Sequence, residues 1–363
     1  MEQTLKQHND LQIKLTGNPT PTDRSYLHRQ IKAFNNAVSP HHRAARKAGE
    51  VLPLGVFIRT ADRQLVGGLV GDTYWGWLEI NDFWIDESLR GQGFGRELLL
   101  AAETEAIMRG CTRVFLQTYS FQARGFYEKL GYGVVGQLDD YPPGQSFCWM
   151  RKELGRPATH VSFKSVRTDD DTLAYLAQIN RNHPARPAVV SHIESQIAAL
   201  PFDSLQVVEL CFGPGMLARH LLGRLPNINY TGLDLGSAFT AFAQKQLAPF
   251  TKRTTLHKTD LNRDDWPKLL PANIHAIVSL QSLHDLGGEA EVSRIYRLVK
   301  ELLAPSGLFL NADLIVEEGK HVPNNPGRLT VSRHLELLRG YGFENSNCTL
   351  EVEDFGCVQG WNQ

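Results

Sequence analysis

The stretch Val207-Val-Glu-Leu-Cys-Phe-Gly-Pro-Gly215 decides the fold of the second half of the chain. It predicts a short apolar strand that ends in a glycine-rich turn, and residues 216–225 continue with the spacing of a helix. Further strands are predicted at residues 230–235, 255–261, 276–280 and 308–312. The segments between them have the spacing of amphipathic helices. Short strands that alternate with helices in this way predict an open, doubly wound parallel sheet.

An acidic residue, Asp234, ends the strand predicted after this turn. A carboxylate in that position can accept hydrogen bonds from the two hydroxyl groups of a ribose. A dinucleotide is one candidate ligand. However, the turn does not complete the G-x-G-x-x-G pattern, because Ala218 stands at the third glycine position. The turn therefore predicts a ribose-containing ligand and leaves its kind open.

The first half of the chain has a glycine turn of its own, Arg90-Gly-Gln-Gly-Phe-Gly95. It lies between a strand predicted at residues 78–85 and a helix predicted at residues 95–108. Glycines in such a place let backbone N–H groups approach a phosphate closely, and the helix N-terminus adds the positive end of its dipole. The turn therefore predicts a phosphate-binding loop.

Two patterns of the first half occur together in one known family. Their residues are Arg90, Gly93 and Gly95 in the turn and Ala123, Tyr127 and Gly131 downstream. With these residues the chain up to about residue 154 resembles the GNAT superfamily of acetyl-CoA-dependent N-acetyltransferases. The resemblance implies an α+β fold with a central mixed sheet, and an acetyl-CoA cleft beside the strand that ends at Ile85. The residues that it implies for acetyl-CoA binding are Phe83, Ile85, Arg90, Gly91, Gln92, Gly93, Gly95 and Arg96.

The chemistry of amine acetylation points to two further residues. A neutral amine attacks the thioester, so a base must take a proton and an acid should protonate the leaving thiolate. The resemblance places Tyr127 where the family has its thiolate acid; the alternative is an aromatic residue of the core. Glu79 stands where some family members carry the base; the alternative is a solvated strand carboxylate, and Asp82 is a weaker substitute.

The second half resembles the class I S-adenosylmethionine-dependent methyltransferases over about residues 165–363. Glu209, Gly213 and Gly215 match the family's E/D-x-G-x-G-x-G motif, in which Cys211 replaces the first glycine. The resemblance implies a doubly wound, Rossmann-like sheet that is closed by an antiparallel hairpin at the end of the chain.

The resemblance implies ligand-binding roles for three further residues. Asp234 would hold the ribose, Asp260 the adenine amine, and Gln281 would lie under the methionine moiety. Methyl transfer from a sulfonium is an in-line displacement that depends mainly on orientation, and only a protonated acceptor needs a base. His284 is the candidate base, because it follows the fourth strand, where open α/β sheets place their ligands; the alternative is a histidine that hydrogen-bonds its loop. Asp285 could orient His284 or cap the next helix.

Composition argues against several other classes of protein. The chain has 363 residues, and its 38 Lys and Arg balance 39 Asp and Glu, which argues against a dedicated nucleic-acid binder. The five cysteines form no CxxC pair and the histidines no HExxH spacing, so neither a disulfide framework nor a metal site is predicted. The chain lacks a signal-peptide core and an apolar run of the roughly 20 residues that span a bilayer. We therefore expect a cytoplasmic protein that acts on small molecules, without nucleic acid or membrane partners; its oligomeric state stays open.

Three segments are predicted along the chain. They are an acetyltransferase domain over residues 1–155, a linker and helical lid over 156–204, and a methyltransferase domain over 205–363. The fusion suggests a bifunctional enzyme that transfers an acetyl group from acetyl-CoA to an amine and a methyl group from S-adenosylmethionine to an acceptor, in small-molecule tailoring. The alternative is an active acetyltransferase whose methyltransferase-like domain only binds S-adenosylmethionine as a regulator.

Overall fold

The computed structural model describes residues 2–8, 11–45, 50–155 and 161–363. Two large β-sheets with helices packed on them form the two halves, and a two-stranded hairpin precedes them in the sequence. One sheet is mixed and the other is mainly parallel, so the predicted fold class is confirmed. None of the described helices is long and apolar enough to cross a membrane.

The first half is built on a six-stranded sheet. Its elements are β1 (Glu2–His8), β2 (Leu11–Thr16), α1 (Pro21–Val38), α2 (Pro40–Ala44), β3 (Leu52–Arg59), β4 (Leu65–Tyr74), β5 (Trp77–Ile85), α3 (Phe94–Met108), β6 (Arg113–Tyr119), α4 (Arg124–Lys129), β7 (Gly133–Asp139) and β8 (Ser146–Glu153). The sheet order is β3-β4-β5-β6-β8-β7. The parallel pair β5–β6 is hydrogen-bonded only up to Ile80 and Leu116. Beyond that point the carboxyl ends of the two strands leave a gap between them.

Alternating burial decides which face of this sheet is covered. On β4 every second residue is buried, from Gly67 through Leu69 to Thr73. The helix α3 packs on that face with its own buried stripe, which includes Leu99, Ala102 and Ala106. The helix predicted from Gly95 therefore exists and begins one residue earlier, at Phe94.

The second half is built on a seven-stranded sheet. Its elements are α5 (Asp169–Asn182), α6 (Arg186–Ala198), β9 (Leu205–Leu210), α7 (Met216–Arg224), β10 (Ile228–Asp234), α8 (Ser237–Gln246), β11 (Thr254–Lys258), β12 (Ile274–Leu280), α9 (Glu289–Leu302), β13 (Leu303–Leu314), α10 (Val331–Gly340), β14 (Glu344–Val352) and β15 (Phe355–Asn362). The order is β11-β10-β9-β12-β13-β15-β14, with β14 and β15 antiparallel. The predicted parallel strands and closing hairpin are both present.

The strand order of this sheet creates a binding position. The chain moves outward from β9 through β10 to β11, and then returns to place β12 on the other side of β9. Open α/β sheets bind their ligands at such a reversal, in the crevice beyond the carboxyl ends of the strands. The turn from Cys211 to Gly215 lies at that point, because it directly follows β9.

The elements before β3 do not follow from hydrophobic periodicity. No residue of α1 is buried, and apolar side chains such as Ile31 and Phe34 are exposed on it. The hairpin β1–β2 likewise exposes Leu11 and Ile13. Sequence patterns identify an element by its core-facing stripe, and α1 and this hairpin turn no such stripe toward the core.

Both halves pack against α5 and α6. Asn180 on α5 donates a hydrogen bond from Nδ2 to the carbonyl of Ile107 on α3, at 2.9 Å. Glu105 on α3 accepts hydrogen bonds from Arg109, at 2.7 Å, and from Arg219 on α7. One continuous cluster of buried apolar side chains runs from the first sheet through these helices to the second. Residues 156–160 of the predicted linker lie outside the described residues, and the boundaries near 155 and 205 stay predictions.

Candidate functional sites

The glycine turn of the first half presents bare backbone to solvent. Gly91 and Gly93 have φ values of 76° and 94°, in the left-handed region that favours glycine. A Cβ atom at either position would meet no atom within 4 Å. Gly93 caps α3 without a side-chain hydrogen bond. The first N–H groups of α3 are therefore open to an anion such as phosphate.

Neighbouring side chains hold this turn against the end of β5. Arg90 donates from Nε to the carbonyl of Ile85 at 3.1 Å, and Gln92 from Nε2 to the carbonyl of Ser88 at 2.7 Å. Gly95 packs closely, since a Cβ there would come within 3.4 Å of Phe126. Arg90 and Gln92 thus shape the turn in this structure.

The gap between β5 and β6 lies next to this turn. Phe83 and Ile85 follow the last residues at which β5 pairs with β6, so their edge of β5 faces no strand in the described chain. A ligand with amide groups could therefore pair with this edge. Arg96, in the first turn of α3, is exposed. The residues predicted for acetyl-CoA binding thus extend from the free edge of β5 through the glycine turn into the first turn of α3.

Tyr127 lies on α4 with its side chain buried. Its ring centroid is 6.4 Å from that of Phe83 on β5 and 5.3 Å from that of Phe126. Only 7% of the residue is exposed, and this burial raises the pKa of the Tyr127 hydroxyl to about 12. At neutral pH the hydroxyl is therefore protonated and able to donate a proton. The ring belongs to the core. In this position Tyr127 can be an aromatic residue of the core and still carry a hydroxyl that is able to act as the thiolate acid.

Glu79 lies on the opposite face of the sheet from Tyr127. It stands between the buried residues Leu78 and Ile80 on β5, and side chains alternate between the two faces of a strand. Its carboxylate accepts a hydrogen bond from the Tyr74 hydroxyl, and the pKa of that hydroxyl is raised by burial and by this contact. Asp82 is exposed on the same side as Glu79. A group held in the gap between β5 and β6 can be reached from both faces.

A cavity of about 720 Å³ lies at the carboxyl ends of the parallel strands in the second half. Most of the residues predicted for cofactor binding line it together: Glu209, Gly213, Asp234, Asp260 and Gln281, with Cys211 beside them. Tyr175 and Ile179 of α5 and the segment around Arg167 cover it from the other side. The structure thus brings together residues that are up to 72 positions apart in the sequence (281 minus 209).

The glycine turn at this cavity is held by Asp234. Its Oδ2 accepts a hydrogen bond from the N–H of Gly213 at 2.8 Å, and its Oδ1 from the N–H of Gly236 at 2.6 Å. Burial raises the pKa of Asp234, and these two hydrogen bonds oppose the shift. Gly215 caps α7, and a Cβ there would come within 3.0 Å of Ala243. Gly215 therefore allows close packing, whereas Gly213 leaves its surroundings open.

Cys211 occupies a position where the backbone favours glycine. Its φ is 58°, in the left-handed region, where a Cβ atom is strained. Burial raises the pKa of its thiol well above the ordinary value, so the side chain is a neutral thiol.

Gln281 and Asp260 contribute polar atoms to the cavity wall. The N–H of Gln281 donates to the carbonyl of Ala312 at 2.7 Å, while its buried Oε1 has no hydrogen-bond partner among the described residues. Asp260 accepts a hydrogen bond from the N–H of Asn262 at 2.8 Å. The unpartnered Oε1 of Gln281 is an acceptor that a bound ligand could satisfy.

His284 lies behind the cavity wall, which is formed here by Ser282 and Asp285. The ring atom Nδ1 of His284 is 2.5 Å from Oδ1 of Asp313 on β13. The backbone N–H of His284 donates a hydrogen bond to Oδ2 of the same carboxylate at 3.0 Å. Asp285, the expected partner, is 3.6 Å from Nε2. Burial alone would lower the pKa of His284, but Asp313 outweighs it and the pKa is raised.

Sequence reasoning missed the cavity residues that come from outside the second sheet. Tyr175 and Arg186 line the cavity from α5 and from the start of α6, and Asp313 reaches His284 from β13. No motif identifies these residues, because their approach depends on how the helices pack. Within the described ranges no cluster of His, Cys, Asp and Glu could hold a metal ion.

Comparisons with known proteins match each half separately. Residues 25–132 match the acetyltransferase (GNAT) family, and residues 208–309 match a methyltransferase domain. Blasticidin-S acetyltransferase from Streptomyces morookaense is 38% identical over 131 residues, which are 34% of this chain and 96% of that protein. An acetyltransferase structure from Bacillus cereus is 28% identical to this chain. The match covers 39% of this chain and 97% of that one, with a TM-score of 0.35. The structure of the S-adenosylmethionine-dependent methyltransferase SibL is 17% identical to this chain. The match covers 57% of this chain and 63% of that one, with a TM-score of 0.44.

Proposed function

Because the chain belongs to the acetyltransferase (GNAT) family through its first half and carries a methyltransferase domain in its second, we propose that it catalyses two group transfers. One moves an acetyl group from acetyl-CoA to an amine, and the other moves a methyl group from S-adenosylmethionine to an acceptor, both on small molecules. The observation that carries the proposal is that each half has a glycine turn with an open glycine, Gly93 or Gly213, before a helix.

In the acetyltransferase half, one group of residues binds acetyl-CoA and another transfers protons. The N–H groups at the start of α3 bind the pyrophosphate, and the free edge of β5 at Phe83 pairs with the pantetheine amides. Acetyl-CoA supplies the activated acetyl thioester. Tyr127 keeps its proton at neutral pH and donates it to the leaving thiolate, while Glu79 accepts a proton from the amine on the other side of the sheet. One relative is named for its action on blasticidin-S, and we propose an individual metabolite as the acceptor here as well.

In the methyltransferase half, the cavity residues fit the groups of S-adenosylmethionine. The carboxylates of Asp234 and Asp260 can accept hydrogen bonds from the ribose hydroxyls and the adenine amine, and the buried Oε1 of Gln281 lacks a partner among the described residues. S-adenosylmethionine supplies a methyl group on a sulfonium. Asp313 orients the His284 ring, which accepts a proton from a protonated acceptor once Nε2 reaches the cavity.

Labelled donors test the proposal directly. The protein is incubated with a metabolite extract and either labelled acetyl-CoA or labelled S-adenosylmethionine, and labelled products are separated and identified. We expect one set of products from each donor. Gly93→Asp should remove only the acetylated products, and Asp234→Ala should remove only the methylated ones, so each variant is the control for the other.

Two results would contradict the proposal. Absence of acetylated products with the unmodified protein would contradict acetyl transfer to a metabolite. Binding of S-adenosylmethionine, measured by calorimetry, without any methylated product would support the alternative in which the second half binds the ligand as a regulator. The withdrawn position of His284 is the observation that makes this alternative worth testing.

A further inference from the structure

The helix α1 exposes its apolar side chains and half-buries polar ones. Four of its apolar residues are each 61–65% exposed: Leu27, Ile31, Phe34 and Val38. Three polar residues of the helix are half-buried instead: Lys32, Asn35 and Asn36. A helix that packs within its own chain has the opposite polarity, with its apolar stripe covered and its polar face in solvent. The apolar side of α1 therefore has no partner in the described part of the chain.

The spacing of these four apolar residues, the α1 stripe, indicates what kind of partner covers them. They follow one another at intervals of four, three and four positions. That is the spacing of the a and d positions of a coiled coil, in which helices pack along an apolar seam. Ile31 and Val38 fall at a, and Leu27 and Phe34 fall at d. Because β-branched residues at a and leucine at d favour two parallel helices, the pattern indicates one further helix beside α1.

The residues beside the α1 stripe allow a second α1 to approach without charge repulsion. In a two-stranded seam the flanking positions e and g face the partner helix. Along the stripe these positions hold residues that are uncharged at neutral pH: His28, Gln30, Asn35 and Ala37. The basic residues Arg29 and Lys32 fall at the outward positions f and b. Arg24, one heptad before Ile31, has Asp23 of opposite charge beside it. The stripe thus matches a copy of itself better than a strongly charged partner.

The area of the α1 stripe determines how strong this contact should be. At roughly 100–150 Å² for each exposed side chain, two copies of the stripe would bury on the order of 1,000 Å² in total. Specific interfaces begin at about this size, and the standard size is about 1,600 Å². The stripe is also shorter than the three to four heptads of an independent coiled coil. We therefore expect a reversible dimer with a Kd in the micromolar range.

We propose that α1 packs on α1 of a second copy of this chain, in a parallel two-stranded seam formed by the α1 stripe. The proposal does not depend on either group transfer, because the residues of the stripe belong to neither candidate site. In a parallel pair the a positions of the two helices meet each other. Ile31 of one copy therefore faces Ile31 of the other. The dimer joins two acetyltransferase halves through a surface that the single chain exposes.

Opposite charges at position 31 test both the seam and its orientation. We measure the monomer–dimer equilibrium of the full chain by sedimentation over a range of concentrations. Ile31→Glu places two carboxylates against each other, so dimerisation should weaken by at least about 100-fold. Ile31→Lys should weaken it in the same way through two ammonium groups. An equal mixture of the two variants should restore the dimer, because each carboxylate then faces an ammonium group.

A matched control adds the same charge on another side of the helix. Ala33 is exposed and falls at the outward position c. Ala33→Glu should therefore leave dimerisation unchanged. Because Ile31 and Ala33 are both exposed in the single chain, the variants should keep their fold, which thermal melts verify.

Three outcomes would overturn the inference. An unmodified protein that stays monomeric at every concentration would leave the α1 stripe for another segment of this chain or for a different protein. A dimer that survives Ile31→Glu would be held together by another surface. Mixed variants that fail to associate would mean that the two copies of Ile31 do not face each other, which excludes the parallel seam.

Discussion

At the scale of single residues, a substitution of Tyr127 can distinguish a catalytic role of its hydroxyl from a packing role of its ring. Tyr127→Phe keeps the buried ring beside Phe83 and removes the hydroxyl alone. If the hydroxyl protonates the leaving thiolate, acetylation should slow by roughly 10²–10⁴-fold, the usual effect of losing one general acid or base. Acetyl-CoA affinity should hold, because we propose that the glycine turn and the edge of β5 bind the coenzyme. Steady-state acetylation rates and calorimetry measure the two quantities.

The second activity of the same protein is the control for this substitution. Methyl transfer by Tyr127→Phe should equal that of the unmodified protein, since Tyr127 lies in the other half. A wild-type acetylation rate in the variant would remove the acid role and leave Tyr127 as a core residue.

If His284 is the base of methyl transfer, as we propose, the rate of that reaction should depend on pH. A base must be neutral to accept a proton, and the folded protein raises the pKa of His284 above its ordinary 6.5. The rate should therefore rise with pH through that raised value. Asp313→Asn removes the carboxylate that raises the pKa, so the whole profile should move to lower pH. Asp285→Asn should move it less, because Asp285 is 3.6 Å from Nε2. An Asp313→Asn profile with an unchanged midpoint would contradict the base role of His284.

At the scale of elements, the turn before α3 should lose its ligand when it gains a charge. Gly93→Asp places a carboxylate where we propose the pyrophosphate, and like charges in contact cost several kcal/mol. We expect acetyl-CoA affinity to fall by at least about 100-fold. Gly319→Asp is the matched control for the backbone strain that the substitution introduces. Gly319 has a φ of 76°, and its surroundings are equally open. Calorimetry on both variants should show a loss in the first one alone.

The same elements show how far sequence reasoning reaches. The turns at Gly93 and Gly215 could be predicted, because a strand, a glycine pattern and a helix follow one another along the chain. The hydrogen bond between His284 and Asp313 could not be predicted, since it joins the turn after β12 to β13, and the two residues are 29 positions apart in the sequence. Arg186 was also beyond prediction. The buried stripe of Val189, Ile193 and Ile197 identifies α6 as a helix, but the approach of Arg186 to the cavity depends on packing between the two sheets.

At the scale of the whole molecule, Glu105 on α3 joins the two halves through one partly buried hydrogen bond, which it accepts from Arg219 on α7. Glu105→Gln leaves Arg109 and Arg219 with a neutral partner. Hydrogen bonds to charged groups contribute about 1.5–3 kcal/mol, so we expect a loss of that order in the free energy of unfolding. Glu301→Gln is the control, because its pair with Arg297 is exposed and should change stability by about 0.5 kcal/mol or less. Equal losses in denaturant unfolding of both variants would mean that Glu105 does not join the halves.

The apolar cluster that runs through both sheets should also couple the thermal lifetimes of the two activities. If both halves lose their structure in one cooperative event, heat should inactivate acetylation and methylation with the same half-life. A ligand of either half then protects the other. At a concentration of about 100 Kd, a ligand stabilises the folded state by about 2.7 kcal/mol, so saturating S-adenosylmethionine should prolong acetylation during heating. A cell that keeps the methyl donor plentiful would thereby preserve its acetylating capacity.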